Sequence, residues 1–221
     1  MQLVFIVSTK GGLLSKLLDN QYVQENTHSI VSDRQCGAIE VAKYNNLKFD
    51  ILSANSNEDF STQLDKLYPQ KNLIFISFYT KLLTSVFLKP RAKKVFNCHP
   101  SILPIAPGLN GFEDTLKSNS LFIGCTIHEV DFGVDTGMPI IQASYPLDRN
   151  LTEDTNRDKV FALQYYTALQ FIRWAIEGKM SKETFWKIKD SKYYPSIFSP
   201  NLDNDFFEFF KIKNELKQFS I

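Results

Sequence analysis

Residues 3–7, Leu3-Val4-Phe5-Ile6-Val7, are apolar at every position. A strand with one wet face alternates, so an unbroken run of this length fits a strand buried on both faces. It is followed by Ser8-Thr9-Lys10-Gly11-Gly12 and a helical pattern from Leu13 to about Leu18. Strand, glycine turn and helix open a βαβ unit. The alternation continues along the chain. Residues 29–32, centred on Ile30 and Val31, read as a second strand, 33–37 as a turn, and 38–44 as a helix with Ile39 and Ala42 inward. Residues 49–53 read as a third strand. Asn57-Glu58-Asp59 are expected to cap a helix carrying Phe60, Leu64 and Leu67 at helical spacing. Residues 73–78 are very apolar and predict a central fourth strand. Short strands alternating with helices predict an α/β fold, a mostly parallel central sheet with helices on both faces.

The pattern then changes. Residues 94–99 suit a strand, 110–118 a helix, 121–130 and 139–144 a strand pair, and 155–178 a long helix closed by Gly178. The chain is expected to divide into a domain at 1–190 and a short tail at 191–221. In the tail, Tyr193-Tyr194-Pro195-Ser196 reads as a turn and 205–219 as a helix. Its Phe206, Phe207, Phe209 and Phe210 need a surface, either on their own domain or on a second subunit in a homodimer. With 221 residues, the chain buries enough surface to fold without disulfides or metal. Lys and Arg number 25 against 24 Asp and Glu, so there is no dense basic field for nucleic acid or a membrane surface. Three cysteines make no disulfide scaffold and suit a reducing compartment. The first residues are expected to be a strand rather than a signal peptide, no run approaches membrane-spanning length, and the expected location is cytoplasmic.

Of the three histidines, His28 reads as a loop or strand-start residue, whereas His99 and His128 sit at predicted strand ends. Side chains alternate along a strand, so Asn97 and His99 share one face, with Phe96 and Cys98 on the other. Pro100 ends that strand and leaves His99 at the carboxyl edge, where open α/β sheets place ligands. The same rule pairs Thr126 with His128. Asp135 lies in a loop rich in turn residues, 131–139. Taken singly, each has a bland reading: a strand-end histidine bonded to backbone, a loop aspartate forming a turn. A metal site at Cys98, His99, Cys125 and His128 is disfavoured, because alternation sends each cysteine away from its neighbouring histidine. Ser101 lacks the Gly-x-Ser-x-Gly elbow of a hydrolase nucleophile.

Together these residues form a pattern: Asn97-x-His99-Pro100-Ser101-x-Leu103-Pro104 and Gly108, then Gly124-x-Thr126-x-His128-x-Val130 and Asp135-x-Gly137-x-Pro139. It closely resembles the formyl-tetrahydrofolate-dependent formyltransferases, over most of the first 180 residues. Val31-Ser32-Asp33-Arg34 and Gly37-Ala38-Ile39-Glu40-x-Ala42 are similar to that family's second strand and helix. The resemblance implies a Rossmann-like formyltransferase core with Asn97, His99 and Asp135 as catalytic residues. It implies 10-formyltetrahydrofolate as donor cosubstrate and no metal. It places the pterin pocket along Thr80, Lys81, Leu82 and Leu83 and along the loop carrying Val130, Phe132, Gly133 and Val134. An amine attacking a formyl carbon builds charge on oxygen and sheds a proton. Asn97 can donate to the oxyanion, His99 can share that role or move the proton, and Asp135 can orient the imidazole.

The acceptor side of the resemblance covers Gly11, Gly12, Ser101, Pro107, Gly108, Asn110 and Gln164. There the chain departs from the purine enzyme of the family, glycinamide ribonucleotide formyltransferase. Leu13 stands where that enzyme's phosphate loop carries Asn, Gln164 where it carries a substrate-binding Glu, and the loop 107–113 lacks its usual His. Tyr193-Tyr194-Pro195 resembles the segment after the core in sugar formyltransferases. These departures lead to the expectation of a nucleotide-linked amino sugar as small-molecule substrate. Tyr165, Tyr166, Tyr193 and Tyr194 are candidates to stack on its base. Glycinamide ribonucleotide is the runner-up, and a folate- or nucleotide-binding regulator without activity is the non-enzymatic alternative.

Overall fold

The computed structural model describes residues 1–193 and 197–205. β1 (Gln2–Val7) leads into α1 (Gly12–Leu18) and α2 (Gln21–Glu25), β2 (Thr27–Ser32) into α3 (Gly37–Tyr44), and β3 (Phe49–Ile51) into α4 (Asn57–Leu67). β4 (Leu73–Phe78) leads into α5 (Ser85–Leu88), and β5 (Val95–His99) into α6 (Gly111–Lys117). β6 (Phe122–Glu129), β7 (Pro139–Pro146) and the long α7 (Glu153–Ile176) follow, then β8 (Met180–Lys182), β9 (Trp186–Ile188) and β10 (Phe198–Ser199). The main sheet runs β10-β7-β6-β5-β4-β1-β2-β3, and β8 and β9 pair separately. From β3 to β5 all neighbours are parallel, and β6, β7 and β10 are added antiparallel.

The unbroken apolar run of β1 has the expected cause. Leu3, Phe5 and Val7 join one core cluster with Leu14, Ile39 and Leu169, while Val4 and Ile6 join a second with Phe60, Leu64 and Phe87. Helices α1, α3 and α7 therefore cover one face, and α4 and α5 the other. From Tyr165 to Ile172 every residue of α7 is buried, so its second half is a core helix with no wet face. Among the described residues no helix is long and apolar enough to cross a membrane.

Several local details differ from the sequence reading. The cap of α4 is Ser56, whose hydroxyl accepts from Asp59 N; the expected cap residues 57–59 already lie inside the helix. α7 starts earlier than expected, at Glu153, because Thr152 accepts from Thr155 N as its cap, and Gly178 beyond its end takes φ +68°. The short elements α2, α5, β8, β9 and β10 were not expected; with two to five residues each, they carry too little periodicity to read. Beyond residue 190, β10 pairs with β7, and Phe198 and Leu202 enter the core beside α7. Tyr194, Pro195 and Ser196 of the expected turn, and Phe206, Phe207, Phe209 and Phe210 of the expected helix, lie outside the described residues.

The placement of β10 makes the core depend on residues past 190. Phe198 is 1% exposed, so Phe198→Ala should lower unfolding stability by about 3–5 kcal/mol, read as a fall in the urea midpoint. A midpoint equal to wild type would show that the core is complete at residue 190.

Candidate active site

A cavity of about 510 Å³ opens at the carboxyl edge of β4 and β5. Asn97, His99, His128 and Asp135 line its inner end. The β5–β6 ladder sets Asn97 opposite His128 and His99 opposite Thr126, so these four side chains share one face of the sheet. Cys98 and Cys125 lie on the other face, against α7, where Cys98 Sγ approaches Gln164 O and Cys125 Sγ lies 3.3 Å from Thr167 Oγ1. The hydrogen bond with the Cys125 thiol and then burial push the Cys98 thiol up, away from the thiolate.

Asp135 joins the group from its loop. Asp131 Oδ1 accepts from Gly133 N and Thr136 Oγ1, which folds the loop back on itself. Gly137 packs so close to Glu129 O that a Cβ would lie 1.7 Å from it. Asp135 itself takes φ +52°, a left-handed conformation that aspartate tolerates better than most residues. Its Oδ2 accepts from Gly108 N at 2.8 Å and lies 3.3 Å from His99 Nδ1. Its Oδ1 lies 3.4 Å from both Asn97 Nδ2 and His128 Nε2. Burial alone would raise this carboxyl, but the bonds from His128 and Gly108 N and the charge of nearby His99 outweigh it and hold it at about 2.

Both nitrogens of His99 face acceptors. Nε2 lies 2.8 Å from Ala106 O and therefore donates to it, and Nδ1 faces the Asp135 carboxylate. A doubly protonated ring would satisfy both, yet burial dominates and pushes His99 below the ordinary histidine value. A proton on Nδ1 would lie between the ring and the Asp135 carboxylate. His128 Nδ1 lies 2.9 Å from Glu129 O, to which it donates, and Nε2 lies 3.3 Å from Asn97 Nδ2 and 3.4 Å from Asp135 Oδ1. His128 was noted at a strand end but not counted among the site residues; its direct pairing with Asn97 brings it in.

The loop after β5 supplies Ala106 O and Gly108 N, and it is braced from beneath. Ser101 is fully buried, and its hydroxyl donates to Ile105 O and Ala106 O instead of facing the cavity. Thr126 Oγ1 donates to Ser101 O and accepts from Leu103 N, while Gln142 Nε2 donates to Leu103 O.

Of the residues expected on the donor side, Thr80, Lys81, Leu82, Leu83, Val130, Gly133 and Val134 line the cavity. Phe132 does not and is exposed. Of those on the acceptor side, only Gly108 lines it; Gly11, Gly12, Pro107, Asn110 and Gln164 do not. Gln164 sits under β5, its amide 3.4 Å from Cys98 O. Tyr165 and Tyr166 are buried in the core, so they have no face for a nucleotide base, a correction to the expectation from their position. Tyr193 is exposed and Tyr194 lies outside the described residues.

A mostly parallel α/β sheet with Asn, His and Asp gathered at its carboxyl edge is the arrangement that the sequence pattern called for. A family model described as formyl transferase matches residues 1–170, and the chain belongs to that family. Phosphoribosylglycinamide formyltransferase of Haemophilus influenzae is 31% identical over 126 residues, 56% of this chain and 58% of that protein. The trifunctional purine biosynthetic protein adenosine-3 of Drosophila melanogaster is 30% identical over 107 residues, 48% of this chain and only 8% of that one. The chain therefore spans less than two thirds of the length of each of these relatives. Among solved structures, glycinamide ribonucleotide transformylase 1 from Symbiobacterium toebii superposes with a TM-score of 0.77 at 25% identity, over 86% of this chain and 94% of that one.

The depressed carboxyl makes a sign-definite prediction. Holding Asp135 near 2 instead of 3.8 stabilises the folded state by about 2 kcal/mol above pH 3.8, and this is lost as pH falls from 3.8 towards 2. Asp135→Asn should flatten that part of the stability curve in acid denaturation, and an unchanged slope would remove the ion network from the account. Gly111 tests the imidazole: a Cβ there would lie 2.5 Å from His99 Nε2. Gly111→Ala should lower stability by about 1–3 kcal/mol, because the buried ring has little room to give way, and should shift the His99 ring resonances in NMR; resonances unchanged would show that the ring does not feel this position.

Proposed function

We propose that this chain is an N-formyltransferase that moves a formyl group from 10-formyltetrahydrofolate to an amine. The observation that carries the reading is the approach of Asn97, His99 and Asp135 within 3.4 Å of one another through Asp135 at the end of the cavity. Thr80, Lys81, Leu82 and Leu83, with Val130, Gly133 and Val134, would receive the folate along the cavity wall. As the amine attacks, the Asn97 amide would turn a hydrogen from its long bonds to Asp135 and His128 towards the developing oxyanion. Such a donor is typically worth about 3–4 kcal/mol. His99, with Ala106 O and Asp135 on its two nitrogens, would hold the proton that leaves the attacking nitrogen. The bond from the formyl carbon to N10 of the donor would then break, the proton held at His99 would pass to N10, and tetrahydrofolate would leave; no metal enters the scheme.

For the acceptor, the relatives support the runner-up reading better than the amino sugar expected from the sequence. Those described above act, by their names, in glycinamide ribonucleotide formylation or purine biosynthesis, so glycinamide ribonucleotide is the acceptor we put first. The amino-sugar nucleotide stays as a second reading because Leu13 cannot donate the side-chain hydrogen bond expected in a phosphate loop and Gln164 lacks a carboxylate charge. The inactive regulator would require that the assembled polar trio do no chemistry.

Tetrahydrofolate formation followed by absorbance, with glycinamide ribonucleotide and a panel of amino-sugar nucleotides, tests both levels. Turnover with glycinamide ribonucleotide at the highest kcat/KM supports the first reading; higher kcat/KM with an amino sugar supports the second. No turnover with any amine would sink the enzyme assignment. His99→Asn and Asp135→Asn should each cut kcat by about a hundredfold or more with folding intact. Near-normal rates in either variant would refute the role given to that residue.

A further inference from the structure

Asp33 opens the loop after β2, and its carboxylate is bonded to residues that line the cavity. Its side chain is only 4% exposed. Arg34 clasps it with Nε and NH2, each at 2.7 Å. Lys81 Nζ donates to Oδ2 at 2.7 Å, and the Tyr79 hydroxyl donates to the same oxygen at 3.2 Å. Tyr79 and Lys81 both line the cavity, on the segment that follows β4. Between β2 and β4 in the sheet stands β1, and Ser8, the residue after it, accepts at Oγ from Thr80 N at 3.0 Å. Asp33 and Ser8 therefore tie the residue 79–81 segment down at alternate positions. Tyr79 is fixed from its other side by Phe60, stacked at 4.7 Å.

We propose that Asp33 is a positioning residue for the folate pocket: it fixes the Lys81 ammonium and the Tyr79 hydroxyl, and so pre-forms the cavity wall that the donor contacts. The proposal rests on the donor reading given above. A lysine stem is flexible, and Lys81 is half exposed, so without an anchor its ammonium would sample many positions and pay ordering entropy on each binding event. The anchor is itself rigid, because the planar Arg34 fork holds both carboxylate oxygens. Arg34 and Lys81 surround one anion, which leaves the group with one excess positive charge at the rim, and two of the three ammonium hydrogens on Lys81 remain for a ligand. Asp33 touches no reacting atom; it acts through Lys81 and Tyr79.

The test is a double-mutant cycle of Asp33→Asn with Lys81→Met, read by fluorescence titration with 5-formyltetrahydrofolate and by steady-state kinetics with 10-formyltetrahydrofolate. Asp33→Asn should weaken folate binding and raise the donor KM by about tenfold, the loss expected for a charge-assisted bond, with kcat at saturating donor little changed. In the Lys81→Met background the same substitution should change the donor KM by about threefold or less, because the group it positions is gone. An unaltered or lower KM in Asp33→Asn, a fall in kcat alone, or full additivity with Lys81→Met would each overturn the proposal. Should Asp33→Asn fold poorly, Tyr79→Phe removes one of the same bonds with less disturbance and should raise the donor KM by a smaller factor; no rise would overturn the proposal. A wild-type protein that binds no folate would instead overturn the donor reading, which the titration separates from failure of the positioning role.

Discussion

The antiparallel register of β5 against β6 is the constraint on which the site depends. Directly opposite residues in such a ladder share a face, so setting Asn97 against His128 and His99 against Thr126 assembles four polar side chains on one side. A slip of one residue would turn Cys125 and Ile127 to the cavity and bury the imidazole against α7. The apolar partners on the other face, Cys98 and Ile127, hold the register because they belong to the core cluster under α7. Hydrophobic packing on one face thus fixes polar geometry on the other. The reversal of direction at β6 has a second consequence. Its last residues run away from the carboxyl edge, so the chain must fold back through the 130–138 loop to return Asp135 to His99. The left-handed backbone at Asp135 and the tight seat of Gly137 are where that return is made.

Much of this was legible in the residues, and the physical reasons are specific. The both-face burial of β1 follows from its unbroken apolar run, and the shared face of Asn97 and His99 from strand alternation. Asp135 was reached through the resemblance to a family, since nothing in local spacing says where a loop residue will fold. Ala106 O and Gly108 N were not legible at all. They are backbone groups, and their placement depends on a loop braced by Ser101, Thr126 and Gln142, residues from three separate segments. Ser101 shows the converse: it stands in the motif, but its hydroxyl serves the loop. Tyr165 and Tyr166 misled for another reason. Aromatic residues side by side on a helix give no periodicity that separates a core helix from one with an open face, and α7 is buried all round at that point.

The positions expected on the donor and acceptor sides differ in how they are built. The expected donor positions are tied to three strand ends by side-chain bonds from Ser8, Asp33 and Asp131, and all but Phe132 share one cavity with the polar trio. Of the positions expected on the acceptor side only Gly108 lines that cavity; the others are scattered over α1, the loop after β5, and α7. Substitutions on α1 or α7 would therefore leave the cavity wall undisturbed.

Gln164 shows what α7 contributes to the site from outside the cavity. Its amide donates to Cys98 O, which belongs to the residue between Asn97 and His99. A carboxylate at this place could not donate. Ionised, it would face a carbonyl oxygen across the same gap, a repulsion that the neutral amide avoids. Because Gln164 lies on α7 under β5 and outside the cavity, it acts on Asn97 and His99 only through the strand residue between them. Its bond adds to the apolar packing on that face, which keeps both polar side chains turned to the cavity.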